Sequence, residues 1–305
     1  MSFPIDAVRA RFPALDHRAF FDAPGGTQIC APAIERMVAH LSAGTANAGG
    51  AFATSREVDR LSEEAHRATA DLLGGRAEEI AFGPNMTSLT FAVSRALARD
   101  WSVGDNLVVT RLDHDANVAP WLAVAADLDM EVRWIDFDPD NGRLRVDALP
   151  ELLDARTRLV AVGAASNALG TLNDVPTISA TVRAHSAALV YVDAVQSVPH
   201  VATDVAALGC DLLACSPYKF FGPHQGVLWG RADLLERVGA YKVRPAGTHG
   251  AHRFETGTPS FEGQRVCLAR STISNGSGVR SNRPQTAAAP ACLPRCRRAP
   301  LTSTC

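Results

Sequence analysis

The stretch SPYKFFGPHQG, residues 216–226, holds a lysine in a chain that otherwise avoids the residue. Of 30 basic side chains only Lys219 and Lys242 are lysines, and the rest are arginines. A guanidinium stays protonated, so arginine cannot stand in where a nitrogen must shed its proton and attack a carbonyl carbon. Lys219 therefore reads as a residue kept for chemistry. The plainer alternative, a surface lysine laying its stem on apolar neighbours, suits Lys242 better. Asp193 lies upstream, at the end of the apolar run in VYVDAVQSVPH, residues 190–200. One strand–helix–strand length separates it from Lys219, so both side chains can reach the same edge of a sheet. A carboxylate at the end of a buried strand needs a partner, from a ligand or from helix capping.

Three further features fall where ligands collect. GPNMTSLT, residues 83–90, leaves a strand and opens a helix. Its backbone N–H groups, the Thr87 or Ser88 hydroxyl and the helix dipole suit a phosphate, and the same hydroxyls also suit a plain helix N-cap. In LDHDANVAPW, residues 112–121, His114 follows a strand and has the chemistry of a general base or of a flat surface stacking on a planar ligand, or is simply solvated. In SNALGT, residues 166–171, the Asn167 amide either binds a ligand or shapes the turn around Gly170.

The elements that position these residues are legible as alternation. Short apolar runs rich in β-branched residues begin at Glu79, Asn106, Glu131, Arg158, Ala188, Asp211 and Gly226, and stretches of helical period fill most of the gaps. Near-continuous apolar strands separated by helices imply an α/β fold: a three-layer, mostly parallel sheet with helices on both faces. In such sheets ligands bind beyond the carboxyl ends of the strands, where all five features fall.

The bulk numbers fit a globular domain. The chain has 305 residues, 47% hydrophobic and 20% charged, with a net charge of −2, which excludes collagenous and mostly disordered classes. No apolar run approaches a membrane span, and the first residues do not resemble an export signal, so the cytoplasm is the expected compartment, with no membrane or nucleic-acid partner. Of the seven cysteines, Cys210 and Cys215 sit in an apolar run that reads as strand, which argues against a disulfide framework. Cys292 and Cys296 are spaced C-x3-C with no second pair or histidine after them, so no metal site is expected.

A phosphate-binding turn, a stacking histidine, an aspartate and a lysine together are the kit for pyridoxal 5'-phosphate. The chain resembles the class V aminotransferases, and within them the cysteine desulfurase and selenocysteine lyase branch with its desulfurase-like group. FFDAPGGT, GPNMTS, DHDANVAPW, ASNALGT, VDAVQSVPH, SPYKFFGPHQGVLWG and HRFETGTPS occur in the family's order, between about Phe20 and Gly263. The resemblance implies a fold type I large domain and a PLP-dependent enzyme acting on an amino acid. It implies that Lys219 is the Schiff-base lysine, Asp193 the partner of the pyridine nitrogen and Gln196 the donor to the ring hydroxyl. His114 would stack on the ring and move protons, and Asn167 would face substrate and cofactor. Met86 through its backbone, Thr87, Ser216 and the Tyr218 phenol would hold the phosphate, and Gly25 and Gly26 would line the substrate side. It also implies a homodimer, in which Thr248 or Thr258 reaches the neighbour's phosphate.

Two departures from the family pattern bear on activity. Tyr218 stands where desulfurases usually carry histidine. Residues 265–305 form an Arg-, Cys- and Pro-rich tail with no acidic residue, where the family continues into a small domain bearing the carboxylate-binding arginine and the persulfide cysteine. The expected organisation is a segment 1–20, a cofactor-binding domain 21–245, the start of a small, incomplete domain 246–264, and a disordered tail that reads as out of frame. The expected function is C–S lyase or sulfur-transfer chemistry. The alternatives are an epimerase or another lyase, or a truncated, inactive fragment. A nicotinamide dehydrogenase is disfavoured because no G-x-G-x-x-G turn follows a strand.

Overall fold

The computed structural model describes residues 4–15 and 18–267. Of the tail, residues 265–267 continue a helix that begins at Phe261, while residues 268–305, with Cys292, Cys296 and Cys305, lie outside the described residues, as does the side chain of Cys267.

Nine strands are present among the described residues: β1 (Ile80–Gly83), β2 (Asn106–Thr110), β3 (Glu131–Ile135), β4 (Phe137–Asp138), β5 (Arg143–Leu144), β6 (Thr157–Gly163), β7 (Leu189–Asp193), β8 (Leu212–Cys215) and β9 (Gly226–Gly230). The helices are α1 (Ile5–Arg9), α2 (Ala31–Ser42), α3 (Ala53–Leu73), α4 (Met86–Leu97), α5 (Ala119–Asp127), α6 (Val175–His185), α7 (Val205–Leu208), α8 (Ala232–Arg237) and α9 (Phe261–Cys267). Seven strands form one sheet in the order β1-β9-β8-β7-β6-β2-β3, and β4 and β5 make a separate hairpin. Only β9 runs against its neighbours. All seven apolar runs read from the sequence are strands of this sheet.

Strand residues alternate between two cores, which makes the three layers explicit. Val160 and Val162 of β6 and Val190 and Val192 of β7 face one side with α3 and α6, through Leu73, Ile178 and Val182. Leu159, Ala161 and Tyr191 face the other with α4 and α5, through Leu89, Val93 and Trp121. Each of these fully buried valines contributes about 1.5 kcal/mol or more through the water it excludes. Burial on both faces explains why the strands read as unbroken apolar runs.

The helices start where the sequence supplies caps. The Asn85 side chain accepts from the Ser88 N–H at 2.8 Å to open α4, and Asp174 accepts from the Thr177 N–H at 3.2 Å to open α6. In α4 the buried residues Met86, Leu89, Thr90, Val93 and Leu97 recur at helical spacing and turn one face to the sheet.

Register lines up the functional edge. Gly83 of β1 pairs with Gly226 of β9, Cys215 of β8 with Val227, and Asp193 of β7 with Ala214 and Gly163. The carboxyl ends of β1, β2, β6, β7 and β8 thus open onto one side. Acids at the opposite end are neutralised: Asp105, before β2, pairs with Arg158 at 2.8 Å, and Asp211, before β8, with Arg231 at 2.6 Å. Among the described residues no arginine pairs with Asp113 or Asp193 at the carboxyl end. Among the described residues no helix is long and apolar enough to cross a membrane.

Candidate active site

Lys219 ends a short 3-10 turn, Pro217–Lys219, that directly follows β8. The turn is stitched to the N-terminal loop. The Thr27 N–H and hydroxyl both donate to the Tyr218 carbonyl, at 2.9 and 2.8 Å, and the same hydroxyl accepts from the Phe221 N–H at 2.8 Å. Phe221 takes a left-handed conformation, φ 74°, that costs a residue with a Cβ about 1 kcal/mol, and its ring meets Phe12 edge-on at 4.9 Å. The chain therefore reverses sharply just after Lys219 and leaves that side chain pointing at the loop Asp22–Gly26. There Lys219 Nζ donates to the Pro24 carbonyl. Gly26 lies against the Tyr218 ring so closely that an added Cβ would sit 3.2 Å from it and would need the ring to give by a few tenths of an ångström.

Lys219 is buried, 6% exposed, and Asp193 is 8% exposed. Burial pulls the Lys219 amine below its ordinary value, against the opposing pull of the Asp193 charge. Burial pushes Asp193 up to about 6, while the Val195 N–H, donating at 2.9 Å, and Lys219 act to lower it. The pair thus combines an amine that burial makes easier to deprotonate with a carboxyl that the Val195 N–H and Lys219 help to keep ionised. Tyr218 shares the pocket: Lys219 Nζ is 5.1 Å from its ring centre, and His224 stacks on the ring at 4.9 Å and 15°. Burial, and then Asp193, raise the Tyr218 phenol above its usual range, so it remains a hydrogen-bond donor.

The turn before α4 reaches the same place. Ser216, 1% exposed, accepts from the Met86 N–H at 3.3 Å, which fastens the start of α4 to the end of β8. Asn85, rather than Thr87 or Ser88, caps the helix, so those exposed hydroxyls are not what starts it. The Thr87 N–H belongs to the first helical turn and has no acceptor within the helix.

Of the remaining predicted residues, His114, Asn167 and Gln196 follow the carboxyl ends of β2, β6 and β7. His114 is exposed, and its Nδ1 accepts from the Ala116 N–H at 3.1 Å, which puts the ring proton on Nε2. Asn167 is half-buried in a turn that Ser166 shapes instead, its hydroxyl oxygen accepting from the Ala168 and Leu169 N–H groups at 3.3 and 3.2 Å. Gln196 is half-buried, with its amide 3.3 Å from His200 Nε2. Gly25 and Gly26 close the loop over Lys219. Thr248 and Thr258 are exposed on the segment leading to α9, with no hydrogen bond to the cluster among the described residues.

Four contributors escaped the sequence reading. Asp113, next to His114, accepts three hydrogen bonds, and its only local signal was an acid inside the quoted loop. Thr27 and the Pro24 carbonyl act through distant backbone that no pattern announces. Glu255, within HRFETGTPS, is held by His66 Nε2 at 2.8 Å, His252 Nδ1 at 3.1 Å and the Phe82 N–H at 2.9 Å. It ties that segment to α3 and to β1, the strand that delivers the α4 turn. The donor atoms of His66, His252 and Glu255 lie within 4.8 Å of one another, and protons shared with the carboxylate account for the contacts.

Comparison with known proteins identifies relatives of the chain. The profile of the family Aminotransferase class-V matches residues 19–269. An aminotransferase-like protein of Gibberella zeae is 35% identical over 235 residues, covering 75% of this chain and 58% of its own length. A cysteine desulfurase of Yersinia pseudotuberculosis is 33% identical over 285 residues, covering 86% of this chain and 70% of its own. The apo cysteine desulfurase of Thermococcus onnurineus NA1 superposes with a TM-score of 0.83 at 28% identity, over 88% of this chain and 70% of that one. The chain thus spans about 58 to 70% of the length of these proteins. The family match over most of the chain, and a fold shared with a desulfurase that opens Lys219 and Asp193 onto one sheet edge, lead to one conclusion: the chain belongs to the class V aminotransferase family.

Proposed function

We propose that this chain is the cofactor-binding part of a PLP-dependent enzyme of the cysteine desulfurase type, acting on an amino acid by C–S chemistry. The observation that carries the reading is the buried Lys219–Asp193 pair at the carboxyl edge of the sheet, without an arginine counter-ion among the described residues. The arginine partners of Asp105 and Asp211 sit at the opposite edge of the sheet, whereas a buried lysine and carboxylate at the carboxyl edge have the environment of a ligand site.

The donor set fits pyridoxal phosphate. Lys219 supplies an amine depressed by burial, and Asp193 a carboxylate for a protonated ring nitrogen. Gln196 would supply an amide for the ring hydroxyl, and His114 a flat face to stack on the ring. The Met86 and Thr87 N–H groups, Ser216 and the Tyr218 phenol supply phosphate contacts at a helix N-terminus. When bound, the cofactor supplies an aldehyde for an amine and a ring that withdraws electrons from the substrate carbon next to it.

The chain's own residues do the rest. The Pro24 carbonyl and the Tyr218 ring orient Lys219 Nζ, which takes and returns protons at the substrate carbon. His114, with its proton on Nε2, carries a second proton at the rim. Gly25 and Gly26 admit the substrate, Asn167 orients it, and Thr248 or Thr258 completes the phosphate site of a second copy in a homodimer.

The sulfur acceptor separates the activities. Cys30, Cys210 and Cys215 are buried, and burial raises the Cys30 thiol and pushes that of Cys210 up to about 12. Cys267, Cys292, Cys296 and Cys305 are the other cysteines of this sequence on which a persulfide could form; with no acceptor thiol the sulfur would leave as product, as in a lyase. Assaying purified protein with added pyridoxal phosphate for sulfide, alanine and pyruvate from cysteine tests the reading. Sulfide with alanine supports desulfurase chemistry, and sulfide with pyruvate supports lyase chemistry. Racemised cysteine without sulfide would replace both with an epimerase.

A further inference from the structure

Asp113 sits beside His114, yet its carboxylate turns away from the rim. Oδ1 accepts from the Gly163 N–H at 2.9 Å and from the Thr110 hydroxyl at 2.8 Å, and Oδ2 accepts from the Asn117 side-chain amide at 2.7 Å. The three donors come from the last residue of β6, the last residue of β2, and the turn entering α5. The approach to β6 is close: a Cβ on Gly163 would lie 2.9 Å from Oδ1, so only glycine lets the acid reach that backbone.

The polarity of this network is fixed from outside. Trp121 Nε1, which can only donate, points at the Asn117 amide oxygen at 3.4 Å, so the Asn117 nitrogen faces Asp113. In its ionised form Asp113 therefore accepts from all three donors. Burial is the largest cause pushing its carboxyl up to about 7, with the Asp193 charge adding to it. Holding a carboxylate there is costly, and simple packing would not require it. What the cost secures is geometric: β2 delivers His114, β6 leads to Asn167, and Gly163 is in register with Asp193 on β7.

We propose that Asp113 is a positioning residue that locks the His114 turn onto the end of β6 and so sets where the His114 ring stands over the cofactor. The proposal rests on reading the site as a pyridoxal-phosphate site. Asp113→Asn keeps the shape but places an NH2 against the Asn117 NH2, and the Trp121 N–H prevents Asn117 from flipping without a new clash. The double variant, Asp113→Asn with Asn117→Asp, restores every donor–acceptor pairing. The amide introduced at position 113 donates to the carboxylate introduced at position 117, whose second oxygen accepts from Trp121. The oxygen of that amide still accepts from Gly163 and Thr110.

Two readouts test this on the full-length protein. The first is the NMR signal of the His114 ring in cofactor-free protein labelled at histidine, identified by its loss in His114→Gln. The second is pyridoxal-phosphate affinity from visible absorbance. Asp113→Asn shifts or broadens the His114 signal and weakens binding about tenfold, the equivalent of one lost charge-assisted hydrogen bond. The double variant returns both to near wild type. If Asp113→Asn does not fold, Asn117→Ala removes one of the three donors and is expected to move the same signal. An unchanged His114 signal in the single variant, or a double variant that is folded by its urea midpoint yet behaves like the single, overturns the proposal. Absence of pyridoxal-phosphate uptake by the wild type defeats the reading of the site, and the His114 signal of the cofactor-free protein then decides the locking by itself.

Discussion

Met86 and Ser216, 130 positions apart, meet through a hydrogen bond of 3.3 Å from the Met86 N–H to Ser216 Oγ. The contact joins the start of α4 to the end of β8 and so ties the GPNMTS turn to the turn that carries Lys219. Ser216→Ala removes a long, modest bond and one expected phosphate contact. Stability should fall by no more than about 1 kcal/mol, while pyridoxal-phosphate binding weakens about five- to tenfold. Urea denaturation and an absorbance titration measure the two effects separately. Equal binding by variant and wild type would remove Ser216 from the phosphate site.

The turn after Lys219 tests the strain at Phe221. Both Phe221→Gly and Phe221→Ala lose the edge contact with Phe12, but only glycine adopts φ 74° freely. Phe221→Gly should be more stable than Phe221→Ala by about 1 kcal/mol in urea. The reverse order would mean that the left-handed turn is not enforced.

The clasp around Glu255 gives a pH dependence with a definite sign. Although burial opposes it, hydrogen bonds from His252 and His66 hold Glu255 at about 2, below its ordinary 4.5, so its contribution is full above 4.5 and is lost as pH falls toward 2. His252 is raised above its ordinary 6.5, first by its hydrogen bond to Glu255, so its contribution is full below 6.5 and is lost as pH rises through the raised value. The clasp should stabilise the protein most between pH 4.5 and 6.5. Glu255→Gln, which breaks a largely buried pair, should cost about 3 kcal/mol in that window and flatten the thermal midpoint on both sides. A midpoint profile with the same shape in variant and wild type would contradict this.

The sheet was legible because burial on two faces writes itself into local sequence. Runs such as RLVAVG and LVYVD need no partner to be recognised. The β4–β5 hairpin was not legible, because two-residue strands carry no period. At the site, Lys219, Asp193 and the α4 turn stood out since each is a polar departure at the end of an apolar run. Asp113 and Glu255 did not, because their meaning lies in donors far away: Gly163 is 50 positions from Asp113, and His66 is 189 from Glu255. A single sequence shows the residue that is chemically unusual, and hides the contact that makes it so.

The proposed chemistry depends on Lys219 being the amine that carries the cofactor. Borohydride reduction of the protein with pyridoxal phosphate, followed by peptide mass analysis, decides this without reference to turnover. The expected product is a reduced pyridoxyl adduct on the SPYKFFGPHQG peptide at Lys219, lost in Lys219→Ala. An adduct confined to Lys242, or none on a protein that stays colourless, would contradict it.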